Sequence, residues 1–417
     1  MVEEVLYDRT YATRLENGLR IFVEEDPQSR SVSLATWVRV GSRDDPASSQ
    51  GISHFIEHLA FKGTNRRAAV DISREIDSVG GSLNAGTGRE STVFYADVPA
   101  EGLDTAVDLV DDLVRNPAFE SDKIELERTV VLDELRGHAD DPEAVSFDRF
   151  FGRVWNDGHP LSRPVLGADD AIRTISQAQV AAHHRRHYRP DRMVIAACGA
   201  VDAPSLIRSL AARHDAPPSP SIADDPHAPP DFCGGRHHDT RPSGQTHIYV
   251  ALPGSSAADP DRYPMEVLNV LLGDGTSSRL FRAIREDRGL AYSVGSTVMR
   301  YTDGGLWLVY AATSPSLAAE VLERLEHELE LLSADGANDE EIVRAKARLR
   351  GLFILNMESN ANRAMRIGTA AVLDREILSP SDVLARLDAV TPTDVAAAAD
   401  RFLRLDSLHV TTVGPEA

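Results

Sequence analysis

SDKIELERTVVLDELRG at residues 121–137 and NDEEIVRAKARLRGLFI at 338–354 are the two stretches from which the fold can be read. Both place apolar residues at helical period, and each opens on a Ser or Asn able to cap the first turn. Laid on one another with an offset of 218, they read as one helix used twice, so the chain looks like a duplicated unit. In that register Glu127 falls on Ala345 and Glu134 on Leu352, so the acidic residues of the first helix have no counterparts in the second. Either one half was specialised for chemistry or the other lost it.

Working outward, each half opens on alternating apolar residues, the period-two mark of a half-buried strand. In the first half these are LRIFVEE at 19–25 and VSLATWVRV at 32–40, and in the second THIYVALPG at 246–254. GGSLNAGTGRESTVFYADV at 80–98 reads as a hairpin. Strands mixed with long helices predict two homologous, sandwich-like α+β halves with mainly antiparallel sheets and helices packed on one face of each. Between the halves, AARHDAPPSPSIADDPHAPPDFCGGRHHD at 211–239 is dense in Pro, Ser and Asp and lacks apolar period. The division expected is a first domain at 1–215, a linker at 216–240 and a second domain at 241–417.

A length of 417 residues exceeds one ordinary core and suits two domains. With 42% apolar and 26% charged residues the composition is that of a globular protein, not a disordered or fibrous one. The 44 Lys and Arg against 65 Asp and Glu give a net charge of −21, which lacks the footprint of nucleic-acid binding and leans weakly toward basic peptide partners. MVEEVLYDRT has no apolar signal region, and no stretch approaches the ~20 apolar residues of a membrane span, so a cytoplasmic protein without a membrane partner is expected. Cys198 and Cys233 are the only cysteines and form no CxxC knuckle, so a metal would be held by His and carboxylate.

GISHFIEHLAFKGT at 51–64 supplies the histidines. In a helix His54 and His58, at i and i+4, share a face and can reach one metal ion, while Glu57 projects beside that face and can take a proton from an attacking water. A catalytic zinc needs a third protein ligand and an open position. Glu127 and Glu134 are seven residues apart, two turns on one helix face, and on spacing alone either could serve, or both could simply line a solvated face.

This set resembles the pitrilysin, insulinase and mitochondrial processing peptidase family, the zinc peptidases with the inverted HxxEH motif, and the likeness spans nearly the whole chain. In that family a helical glutamate about 76 residues after the motif is the third ligand, and Glu134 lies 76 positions after His58. The resemblance therefore implies one zinc per chain on His54, His58 and Glu134, Glu57 as general base, and Glu127 in ELERTVVLDEL supporting the site. The same donors accept manganese or cobalt, with zinc the default. SSRLFRAIREDRGLAYSVGS at 277–296 is similar to the family's arginine and tyrosine pair and gives Arg288 and Tyr292, donors suited to a peptide carbonyl or oxyanion. Asn84 and Ala85 resemble the family's edge strand, which adds an extended peptide to the sheet.

The implied activity is metalloendopeptidase hydrolysis of short or unstructured peptides in an enclosed chamber, for degradation or for removal of a targeting or leader segment. The implied assembly is a homodimer in which Arg288 and Tyr292 serve the metal of the other subunit. The alternatives are half of a heterodimeric processing peptidase and a non-catalytic core subunit. Gly273 and Gly275 in LLGDGTSSRLF lack a P-loop ending and read as close packing in a turn. His237, His238 and His247 lie in or beside the linker and are expected to be exposed.

Overall fold

The structure, a computed structural model, describes residues 4–156, 158–215, 217 and 228–416. The first seven strands are β1 (Glu4–Tyr7), β2 (Thr10–Arg14), β3 (Arg20–Glu25), β4 (Ser31–Val38), β5 (Ser82–Thr87), β6 (Thr92–Pro99) and β7 (Met193–Gly199). They form one sheet in the order β1-β2-β3-β7-β4-β6-β5, antiparallel except where β3 meets β7. The other five are β8 (Gly235–Thr240), β9 (Thr246–Pro253), β10 (Ser293–Arg300), β11 (Gly305–Thr313) and β12 (His409–Gly414). Their order is β10-β11-β9-β12-β8, with only β12 and β8 parallel.

Helices α1 (Ile52–Ala60), α2 (Ala69–Ser78), α3 (Leu103–Arg115) and α4 (Ser121–Asp140) lie in the first third of the chain. They are followed by α5 (Pro142–Val154), α6 (Asp169–Thr174), α7 (Gln177–His187) and α8 (Ala203–Arg213). The rest are α9 (Arg262–Leu272), α10 (Ala318–Asp335), α11 (Asp339–Met357), α12 (Asn360–Val372), α13 (Pro380–Ala389) and α14 (Pro392–Phe402).

Alternation in the strands decides which side chains meet which helices. In the seven-stranded sheet Ile21, Val23, Leu34 and Val38 face one core with Ile52, Phe55, Ile56 and Leu59 of α1 and Val107 and Val110 of α3. The residues between them, Phe22, Ala35, Trp37, Val194 and Ala196, face the other way and are covered by Ala364, Ile367, Ala371 and Val372 of α12. Each fully buried aliphatic here contributes about 1.5–3 kcal/mol. Gly368 permits the approach, because a Cβ there would run into the Trp37 ring. In the five-stranded sheet Ile248, Val250, Trp307 and Val309 face one core, and Tyr249, Ala251, Leu306 and Leu308 pack with Phe150, Phe151 and Val154 of α5.

The chain consequently forms two compact units that do not follow a division at the linker. The first comprises Met1–Arg136, Arg163–His227 and Leu355–Ser379, and the second Gly137–Ser162, Ala228–Ile354 and Pro380–Ala417. Segments 137–162 and 355–379 thus belong with the opposite halves from those expected. The physical reason is that amphipathic period shows a helix has an apolar stripe, not which sheet the stripe covers.

The expected linker at 216–240 is also shorter than its composition suggested. Gly235–Thr240 is β8, an edge strand bonded to β12, and being polar on both faces it shows no alternation to read. Residues 216 and 218–227 lie outside the described residues. His237 and His238 are exposed as expected, but His247 is not: it sits on β9 at 5% exposure, its Nδ1 3.0 Å from the Tyr310 hydroxyl. The hairpin at 80–98 is β5 and β6. Gly273 ends α9, where a Cβ would clash with Ser296, in keeping with close packing at that turn.

Candidate metal centre

Helix α1 begins at a defined place. Gly51 adopts φ +90 ahead of the first turn, and a Cβ there would collide with the backbone of Leu166 and Gly167. Asp45 accepts from the N–H groups of Gly51 at 2.7 Å and Ser53 at 3.2 Å, and from the Ser53 hydroxyl at 2.6 Å, satisfying donors that a helix start leaves free. Burial pushes the Asp45 carboxyl up to about 7. The register fixed in this way turns His54 and His58 to one face.

Glu134 of α4 meets that face. Its Oε2 lies 3.8 Å from Nε2 of His54 and 3.4 Å from Nε2 of His58. One donor atom from each residue lies within 4.8 Å of the others, and no other group of three His, Cys, Asp or Glu among the described residues draws together in this way. Ligands at zinc-like bond lengths of ~2.0–2.2 Å in a tetrahedron stand roughly 3.4 Å apart, so the donors fit a zinc ion with little adjustment.

The two histidines are set differently. Burial lowers the His54 pKa to about 4, with the neighbouring His58 acting in the same direction, so its ring is neutral and its lone pair available. For His58 burial also opposes the charge, but the hydrogen bond to Glu127 and the carboxylates of Glu134, Glu127 and Glu57 outweigh it and raise the pKa. Glu127 is 2% exposed, and its Oε1 lies 2.9 Å from His58 Nδ1. A carboxylate only accepts, so the proton is assigned to Nδ1, which leaves Nε2 free toward Glu134. Lys62 Nζ stands 2.7 Å from the other Glu127 oxygen. Burial would raise the Glu127 pKa, yet His58 and Lys62 together hold it below the ordinary value.

Glu57 projects beside the ligands. Its Oε2 accepts a hydrogen bond from Thr87 Oγ1 at 2.5 Å, and burial raises its pKa despite that bond. Thr87 shows no sign of this role in the sequence beyond its place in the hairpin, because its contact spans 30 residues. It stands on β5, the outermost strand of the sheet, which also carries Asn84 and Ala85. Asn84 is exposed, and its Oδ1 accepts the Ala85 N–H at 2.9 Å.

In the second unit Tyr292 is 76% exposed and lines a cavity of about 410 Å³ with Arg285, Val294, Ser296, Leu308 and Tyr310. Arg288, expected to pair with it, instead forms an ion pair with Glu320 at 3.3 Å. The guanidinium over the Tyr292 ring, 4.6 Å from its centroid, is that of Arg285, which also lies 5.0 Å from the Phe281 ring centroid. The signal for it in the sequence is a second arginine seven residues before Tyr292, outside the compact RGLAY string.

Two histidines and a glutamate converging from two helices, with a further carboxylate beside them, define the class: a metallopeptidase-type centre on a duplicated α+β fold. Residues 20–169 match the family model described as insulinase (peptidase family M16), and residues 174–349 that of the peptidase M16 inactive domain. An uncharacterized zinc protease of Streptomyces coelicolor is 38% identical over 97% of this chain and 89% of its own length. One of Mycobacterium tuberculosis is 38% identical over 94% of this chain and 90% of its own. Among solved structures, a peptidase M16 inactive domain from Pseudomonas fluorescens superposes with a TM-score of 0.90 at 21% identity, covering 98% of both chains. A protease from Helicobacter pylori gives 0.89 at 20% identity, covering 97% of this chain and 99% of its own. The chain belongs to the insulinase (M16) family of peptidases. No helix among the described residues is long and apolar enough to cross a membrane.

Proposed function

We propose that the chain is a zinc-dependent endopeptidase acting on short or unstructured peptides. The observation that carries this reading is the convergence of His54, His58 and Glu134 with the half-buried carboxylate of Glu57 beside them. When bound there, a zinc ion supplies Lewis acidity toward a peptide carbonyl and an attacking water. Glu57 takes the proton of that water and returns it to the leaving amine, a role its raised pKa suits. Thr87 holds Glu57 in place between the ligands and the strand edge. The free side of β5 offers backbone groups to an extended peptide around Asn84 and Ala85 once the Asn84 side chain releases the Ala85 N–H, giving affinity with little sequence demand. Such an edge accepts unfolded chain and rejects folded domains.

The donor pair for substrate or oxyanion is Tyr292 with Arg285, and Arg288 is peripheral to it. A homodimer in which Tyr292 serves the partner subunit, and a cytoplasmic location, belong to the same reading. Activity found only after mixing with a different protein would replace the homodimer with a heterodimer. The test of function is metal content together with cleavage of an internally quenched basic peptide, comparing the parent with Glu57→Gln. The expected result is about one zinc per chain in both and a loss of turnover of at least about 10³-fold in the variant, since the general base and its proton delivery are removed together. Full activity in Glu57→Gln would end the assignment, and metal without cleavage in either protein would favour a non-catalytic core subunit.

A further inference from the structure

We propose that Lys62 is a positioning residue of the metal centre, acting through Glu127 on His58; the inference rests on the reading that this centre binds zinc. Lys62 lies just past the end of α1, one helical turn beyond His58, with its side chain 34% exposed. Its Nζ is 2.7 Å from Glu127 Oε2, and Glu127 Oε1 is 2.9 Å from His58 Nδ1. Lysine, carboxylate and imidazole therefore form a chain that enters from solvent and ends on a ligand.

A carboxylate at 2% exposure is strongly disfavoured unless it is paired. Lys62 provides the counter-charge without approaching the donor atoms. With both oxygens engaged, Glu127 has a single orientation, and the His58 ring keeps its Nδ1–H bond only while Nε2 stays turned toward Glu134, 3.4 Å away. His54 has no comparable brace, because its Nδ1 is buried without a hydrogen-bond partner among the described residues. The aim of the imidazole pair thus falls on the Lys62–Glu127–His58 chain. Without Lys62 one buried oxygen of Glu127 loses its cation, the carboxylate turns toward water, and the acceptor for His58 loosens.

The test is zinc affinity, read by competition with a chromophoric chelator, for K62M and K62R in the parent and in an E127Q background. K62M is expected to weaken binding about 10–100-fold, the range for outer partners of a metal ligand. K62R, which keeps a cation within reach, recovers most of that loss. In the E127Q background K62M adds less than about twofold, because the link it acts through is already broken. A K62M protein that binds zinc as tightly as the parent, or loses equally in both backgrounds, overturns the proposal. Should K62M fail to fold, K62Q and K62R carry the same contrast, and equal affinities overturn it. A parent chain that binds no zinc is a different result, which removes the peptidase reading itself.

Discussion

Helices α4 and α11 occupy corresponding positions in the two halves of the chain and share their first two buried positions, yet only α4 brings carboxylates to His54 and His58. Ile124 and Ile342 are 1% and 4% exposed, and Glu127 and Ala345 are both 2% exposed. At the outer positions Glu134 has a side-chain exposure of 43%, and Leu352 is 38% exposed. Burial is preserved at these positions while the functional groups are exchanged, although further along α4 buries Val131 and Leu132 where Leu349 is half-buried and Arg350 exposed. A methyl group at the depth of Ala345 needs no partner. A carboxylate at the depth of Glu127 persists because His58 and Lys62 bond both of its oxygens. The difference teaches that the His-Glu cluster depends on α1 and α4 together, since a buried charge on one is tolerable only with cations or donors on or beside the other.

Exchanging residues between the helices breaks this comparison most severely at Glu134. Glu134→Leu, which copies Leu352, is expected to lower zinc affinity more than about 100-fold, beyond the range for outer partners, while Leu352→Glu leaves metal content unchanged. An affinity within tenfold of the parent in a chelator titration would detach Glu134 from the centre. Next in size is Ala345→Glu, which buries a carboxylate where α11 offers none of the partners of Glu127. It should cost about 3–5 kcal/mol in urea unfolding, comparable to stranding a buried charge, and a loss under about 1 kcal/mol would mean that α11 opens to water. The smallest contrast sharpens the assignment in the second half. Arg285→Ala should reduce kcat/KM about 10–100-fold through loss of a donor beside Tyr292. Arg288→Ala, which removes one exposed ion pair, should change it less than about twofold. The reverse ranking would restore Arg288 to the site.

How much could be read beforehand followed the range of the interactions. The convergence of His54 and His58 is an i, i+4 relation within nine residues of helix, so it was legible from the string alone. The offset between α4 and α11 was legible for the same reason, because helical period is local. Choosing Glu134 over Glu127 needed family resemblance, since spacing placed both on one face; the structure puts Glu134 against the Nε2 atoms and Glu127 behind Nδ1. Thr87 was hidden because only the folded sheet brings it to Glu57. Lys62 was visible as i+4 from His58, but its meaning depends on Glu127, which arrives from another helix. The placement of α5 and α12 was the least legible feature, because an apolar stripe does not name its sheet.

The covering of Trp37 and Phe22 by α12 also sets an order of events at the ribosome. All seven strands of the first sheet have been synthesised once Gly199 is made, but the helix that seals their outer face starts at Asn360. At translation speeds of about 5–20 residues per second, that face waits roughly ten to thirty seconds for its cover. During this interval the nascent chain displays Phe22, Trp37 and Val194 on an uncovered face. The half that holds His54, His58 and Glu134 is encoded first but completed late, so its maturation is tied to the synthesis of α12.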